Sequence, residues 1–136
     1  MSDPMTLDEA GPLAEQDRAR AVELASAATN GRVGTTLVSE TAEVRVWHLT
    51  LAPGQRLPFH RHVLDYFWTV LSDGRGRSHY GDGTVREVAY RAGDTRHFSF
   101  AGGEDMVHDL ENTGPEPLAF VTVEFKNGKN PPLALP

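Results

Sequence analysis

The chain has no cysteine. Disulfide frameworks, zinc–thiolate sites, iron–sulfur clusters and thiol nucleophiles are therefore excluded, and any metal site must use His, carboxylate, Tyr or water. A basic stripe is also missing: 13 Lys and Arg stand against 19 Asp and Glu, for a formal net charge of −6. That balance argues against nucleic acid or an anionic membrane as a partner. No apolar run is long enough to cross a bilayer, and the first residues, Met1 to Thr6, lack the basic start of a secretory signal. A cytoplasmic location is the expectation. What is present is ordinary for one folded domain: 136 residues, 39% hydrophobic and 24% charged, enough to bury a core without staples.

Residues 1–11 read as a loose start. From Pro12 to Asn30 the chain is rich in helix formers, and Asn30-Gly31 is a stop signal. Its apolar side chains make no strong stripe, which suits a helix packed outside the domain, with a dimer arm or lid as the alternative. Residues 1–31 are thus expected to form an N-terminal arm with a helix, and residues 32–136 a β-domain. Val44 to Leu51 reads as a strand with Trp47, Leu49 and Leu51 on its apolar face and His48 on the other. Short strands then recur between turn signals: Phe59–Leu71 as one or two strands, Arg77–Tyr80, Val85–Tyr90, His97–Phe100, Met106–Leu110 and Leu118–Phe125. Spacings near ten residues indicate an all-β sandwich or barrel. The tail from Asn127 carries three prolines and must be extended or irregular.

The most informative stretch is Gly54 to His62, which ends in His60-Arg61-His62. On a strand, residues i and i+2 share a face, so the two imidazoles stand roughly 7 Å apart at their Cβ atoms and can converge on one ion. Imidazole suits zinc, iron, nickel, copper and manganese. Two ligands hold a metal poorly, so others are needed. A third histidine, His108, lies between two turn signals. A regular strand would carry Leu64, Tyr66 and Trp68 to the same side as His60 and His62. Trp68, Phe98 and Phe100 are expected in the core. His79 and His97 are expected to be exposed. Among Arg56, Arg75, Arg77, Arg91 and Arg96, any single one reads as solvated surface, with a substrate carboxylate as the alternative partner. Asn112 reads as a turn residue bonding its own backbone.

Residues 40–126 resemble the cupin superfamily, the small β-barrels with two metal-binding motifs. In the family, Gly and five residues precede His-x-His, followed after three or four residues by Glu and then by Gly. Gly54 and His60-Arg61-His62 fit this directly, and Gly74 follows one residue late. The second motif is met in part by Gly93-Asp94 and by His108 with Asn112, while Phe100 replaces the proline and the loop before His108 is about two residues longer. The resemblance implies an all-β cupin barrel, a double-stranded β-helix or jelly roll of the small single-domain kind. It also implies a divalent transition metal on His60, His62 and His108, with iron favoured and manganese, zinc or nickel as alternatives. The departure is at the glutamate, where the chain has Tyr66 beside Asp65. Tyr66 then donates a hydrogen bond to substrate, or Asp65 becomes a fourth ligand through a bulge, or three histidines act alone. A three-histidine site with Tyr66 beside it is favoured. Three-histidine cupins without the glutamate are found among dioxygenases, which suggests an enzyme acting on a small organic molecule. Isomerase, lyase or cyclase chemistry with zinc or manganese is the alternative, as is a metal-stabilised barrel that binds a small ligand without turnover. Cupins are commonly homodimers, and a homodimer is expected here.

Overall fold

The computed structural model describes residues 11–136, and residues 1–10 of the expected loose start lie outside the described residues. Helix α1 spans Gly11–Ser26 and tightens into one 3₁₀ turn, Ala27–Thr29, before Asn30. Nine strands follow: β1 Thr36–Glu40, β2 Val44–Leu51, β3 Arg56–His62, β4 Tyr66–Val70, β5 Gly74–His79, β6 Val85–Tyr90, β7 Thr95–Phe98, β8 Met106–Asn112 and β9 Leu118–Phe125. They form two antiparallel sheets, ordered β1-β2-β9-β4-β7 and β3-β8-β5-β6. Two facing sheets of alternating residues are what the strand spacing predicts. The first strand is the element that sequence patterning missed, because Thr36–Glu40 exposes nearly all of its residues.

Alternation decides what goes inside. Trp47, Leu49 and Leu51 of β2 face Leu118 and Phe120 of β9, and the core continues through Leu57, Val70, Tyr90 and Leu110. The turn entering β3 uses Gly54 at φ +82°, a region where L side chains are strained. Gly74 lies so close to Leu118 Cδ1 that a Cβ would sit 2.8 Å from it. This motif glycine therefore serves packing.

One expectation needs correction. His60 and Tyr66 do not share a regular strand. β3 ends at His62, and the chain crosses at residues 63–65 to enter the other sheet as β4. Nor is β3 itself regular. Its pairing with β8 shifts between Leu57 and His60, and both Phe59 and His60 are buried. Pro58 sits in the irregularity, where its missing N–H costs no ladder bond.

The outer edge of β3 is covered by the N-terminal segment. Glu23 of α1 accepts the Phe59 N–H at 2.7 Å and pairs through both oxygens with Arg56. Asn30 Nδ2 donates to the Phe59 carbonyl, and the Asn30 carbonyl accepts the Arg61 N–H. Arg56 also donates to Asp109, a fully buried carboxylate that accepts the His79 N–H at 2.6 Å. His79, expected to be exposed, is thus drawn partly inside by Asp109. The irregular tail is held too, with Asn130 bonding Val63 and Ala101 carbonyls and the Gly103 N–H.

Removing Arg56 takes the guanidinium from the buried Asp109 and leaves only His79 beside it. We expect Arg56→Met to cost about 3 kcal/mol of unfolding free energy. Arg77→Met, which breaks only exposed pairs with Glu87 and Glu111, should cost under about 1 kcal/mol. Urea denaturation at neutral pH checks both values.

Candidate metal centre

His60 and His62 project from β3 and His108 from the directly facing position of β8, paired with His60 in register. Their rings meet edge to face, with centroids 4.7–5.1 Å apart. The Nε2 atoms converge: His62 Nε2 is 3.1 Å from that of His60 and 3.2 Å from that of His108. His60 and His62 are buried and His108 nearly so. Among the described residues, these three are the histidine or carboxylate group able to hold an ion.

The donor set fits a metal. With metal–nitrogen bonds of about 2.0–2.1 Å, nitrogens about 90–110° apart at the ion lie about 2.9–3.4 Å from each other. The observed separations fall inside that range. His60 Nδ1–H donates to the Pro58 carbonyl at 2.8 Å, which leaves a lone pair on Nε2. His62 Nε2 faces two nitrogens, and one proton can serve only one of them. The Nδ1 atoms of His62 and His108 are buried with no hydrogen-bond partner among the described residues. A central cation turns the facing lone pairs from repulsive into bonding. Burial also keeps the rings neutral, the state a ligand needs. It draws His60 down to about 4, and it holds His62 and His108 well below the usual imidazole value, with neighbouring histidines adding to the effect.

Tyr66 arrives from the other sheet and stacks on His62 at 4.1 Å between centroids. Phe98 stacks on its far side at 4.6 Å. Burial raises the phenol well above its ordinary value, Tyr80 and Glu124 add to this, and Arg96 opposes it. The group stays protonated at neutral pH. Asp65 goes elsewhere. It precedes β4, and its Oδ1 accepts the Phe100 N–H at 2.8 Å. The structure does not bring Asp65, the alternative fourth ligand, into the histidine cluster. Asn112 does bond its own turn, through Oδ1 to the Gly114 N–H, but its Nδ2 also reaches the Leu51 carbonyl.

A cavity of about 50 Å³ opens beside the cluster. His60, His62, His108 and Tyr66 form one side, and Leu57, Leu110, Phe120, Trp68, Tyr90 and Thr122 contribute to the rest. Trp68, expected in the core, packs on the core and also lines this space. His48 and His97 are exposed and do not join the cluster.

Glu124 was missed from the sequence. It lies opposite Tyr66 and Arg45 in register, is 3% exposed, and accepts Trp47 Nε1–H at 2.7 Å. Its signal was parity: Leu118, Phe120, Thr122 and Glu124 alternate onto one face. Burial raises its pKa from 4.5 to about 7, against the Trp47 bond. Between those values the folded state keeps a proton that the unfolded chain has released, so Glu124 contributes stability below pH 4.5 that is lost as pH rises through about 7. His60 runs the other way, with stability present above pH 6.5 and lost toward about 4. Subtracting a Glu124→Gln variant isolates the first term. We expect wild type to lose about 3 kcal/mol relative to that variant between pH 4.5 and 7, measured by denaturation of metal-stripped protein.

Comparison with known proteins agrees with this architecture. The family model described as auxin binding protein matches residues 22–114. An uncharacterised conserved protein with a double-stranded β-helix domain from Klebsiella pneumoniae is 36% identical over 65% of this chain and 71% of its own, with a TM-score of 0.52. A cupin domain from Bordetella pertussis shares 22% identity over 67% of this chain and 90% of its own, with a TM-score of 0.59. A cupin family protein from Methanocaldococcus jannaschii, 19% identical with a TM-score of 0.52 over 69% and 84% of the two chains, shares the fold. No curated protein matches. The chain belongs to the auxin binding protein family, within the cupin superfamily of small double-stranded β-helix barrels.

Proposed function

We propose that this protein is a metal-dependent enzyme acting on a small organic molecule, with dioxygenation on iron as the favoured reaction. The observation that carries this is the convergence of three neutral imidazoles on the wall of an apolar cavity, with His62 Nε2 3.1 Å from His60 Nε2 and 3.2 Å from His108 Nε2. His60, His62 and His108 would hold the ion. With no carboxylate in the set, these ligands would leave a bound ion its full charge, and it would supply Lewis-acid activation or, as iron, dioxygen chemistry.

The chain's own residues define what accompanies it. Pro58 fixes the His60 tautomer, so the donor atom is set before any ligand arrives. Leu57, Leu110 and Phe120 keep bulk water from the cavity. Tyr66 is locked between His62 and Phe98, and its protonated phenol donates a hydrogen bond to a substrate oxygen. That same proton favours the second reading, a non-oxidative isomerase, lyase or cyclase with zinc or manganese, in which Tyr66 acts as general acid. The family's name supports a third, a barrel that binds a small ligand without turnover.

Metal analysis with oxygen-uptake assays over a panel of small organic molecules separates these. Protein purified without added metal should carry close to one iron per chain and consume oxygen with at least one compound. His62→Ala should lose the metal. Tyr66→Phe should keep the metal and lose about 100-fold in turnover. Metal retained by His62→Ala would refute the site. Zinc or manganese without oxygen uptake would move the assignment to the second reading, and metal loss in Tyr66→Phe would make the phenol a ligand.

A further inference from the structure

The middle strand of the five-stranded sheet, β9, is apolar on both faces. Leu118 and Phe120 enter the core, while Val121, Val123 and Phe125 point the other way. A strand with one wet face alternates apolar with polar, whereas a strand apolar on both faces is the pattern of one covered on both. The neighbours of β9 continue it. Val46 of β2 and Phe67 of β4 flank Val123 in register. The rings confirm the shared face, because Phe67 lies 6.1 Å from Phe125 and 5.3 Å from His97 of β7.

No Asp, Glu, Lys or Arg takes an outward position on β2, β4, β7 or β9. Toward the β7 edge the face turns to neutral hydroxyls, with Thr69 and Thr95 hydrogen-bonded at 2.7 Å. The outward face of the other sheet is built differently. There Arg77 pairs with Glu87 and Glu111, and Arg61 with Asp105. Among the described residues, helix and tail are fastened away from the uncharged face. Glu23 ties α1 to β3, Asn130 ties the tail to Val63 and Ala101, and Leu133 packs against Gly31.

Charge, symmetry and size together select a second copy of this chain as the occupant. With a net charge of −6, the chain meets like charge over much of its surface when it meets itself. The uncharged face is where that repulsion is least. A two-fold interface sets one patch on its own image, so no complementary patch is needed elsewhere. Five strands give a face about 24 Å wide, and the eight residues of β2 and β9 make it about 27 Å long at its middle. With its rim, a face of that size supplies the roughly 800 Å² that each partner gives to a standard interface. An apolar centre with a neutral polar margin is also the anatomy of such an interface.

We propose that two copies pack back to back through the outer face of the β1-β2-β9-β4-β7 sheet, with Val123 in the contact. The inference stands apart from the metal-site reading, because the histidine cavity lies on the opposite side of this sheet, against Tyr66, Phe120 and Thr122.

Analytical ultracentrifugation of the purified full chain, at concentrations up to about 100 µM and neutral pH, tests it. Wild type should sediment at twice the 14.9 kDa chain mass. Val123→Lys sets like charges against each other across the two-fold axis and should weaken the dimer about 100-fold. Val85→Lys, at an exposed apolar position on β6 of the other sheet, should leave it unchanged. Phe125→Lys repeats the test at a side chain already 37% exposed, where the charge stays in water in the monomer. Phe125→Glu should also be monomeric, and an equimolar mixture with Phe125→Lys should recover the double mass. Monomeric wild type at about 100 µM would overturn the proposal and leave the face to a different protein. A dimer that survives both lysine variants would overturn it too, as would a Lys and Glu mixture that stays monomeric.

Discussion

The register of β3 against β8 is the constraint on which the site depends. It sets His60 opposite His108, and a slip by one residue would send an entire histidine set to the other face. The register is held from outside the barrel. Asp109, next to His108, is fully buried and takes Arg56 from β3, while Arg56 takes Glu23 from α1. Charge buried this way is unforgiving, because either partner alone is strongly unfavourable. The same ion pairs that cover the β3 edge therefore fix the positions of the inward histidines. The helix thus has a role at the site without touching it.

Inside, low polarity does the selecting. Burial keeps three imidazoles as lone-pair donors, keeps the Tyr66 phenol protonated, and raises Glu124 to about 7. Lone pairs and donors are thereby sorted onto opposite roles: nitrogens toward a cation, and a phenol proton toward whatever oxygen enters. The aromatic stack His62–Tyr66–Phe98 then ties the two sheets together beside the histidines.

The legible parts were those governed by strand parity and turn chemistry. His60 and His62 announced one face, and His108 followed from its place in the second motif. The bounds of β2, β6 and β9 could be read from β-branched alternation between turn signals. Tyr66 was placed beside the histidines for a reason that does not hold, because it reaches them across a change of sheet and not along one strand. Pro58 was the local mark of the β3 irregularity, yet parity alone cannot say where a strand bends. Asp65 illustrates the limit further: an acidic residue beside the motif position was claimed by a backbone N–H 35 residues away. Glu124 and Arg45 were hidden because charged residues on an inward face read as exceptions until their partners are known.

The central claim is that His60, His62 and His108 bind one metal ion through nitrogen. X-ray absorption at the metal edge, on protein loaded with one equivalent of zinc, tests it most directly. The account predicts a shell containing three imidazole nitrogens at about 2.0–2.1 Å with the multiple-scattering signature of their rings, diminished by one ring in His108→Ala. A shell of oxygen alone, or a spectrum indifferent to His108, would contradict it.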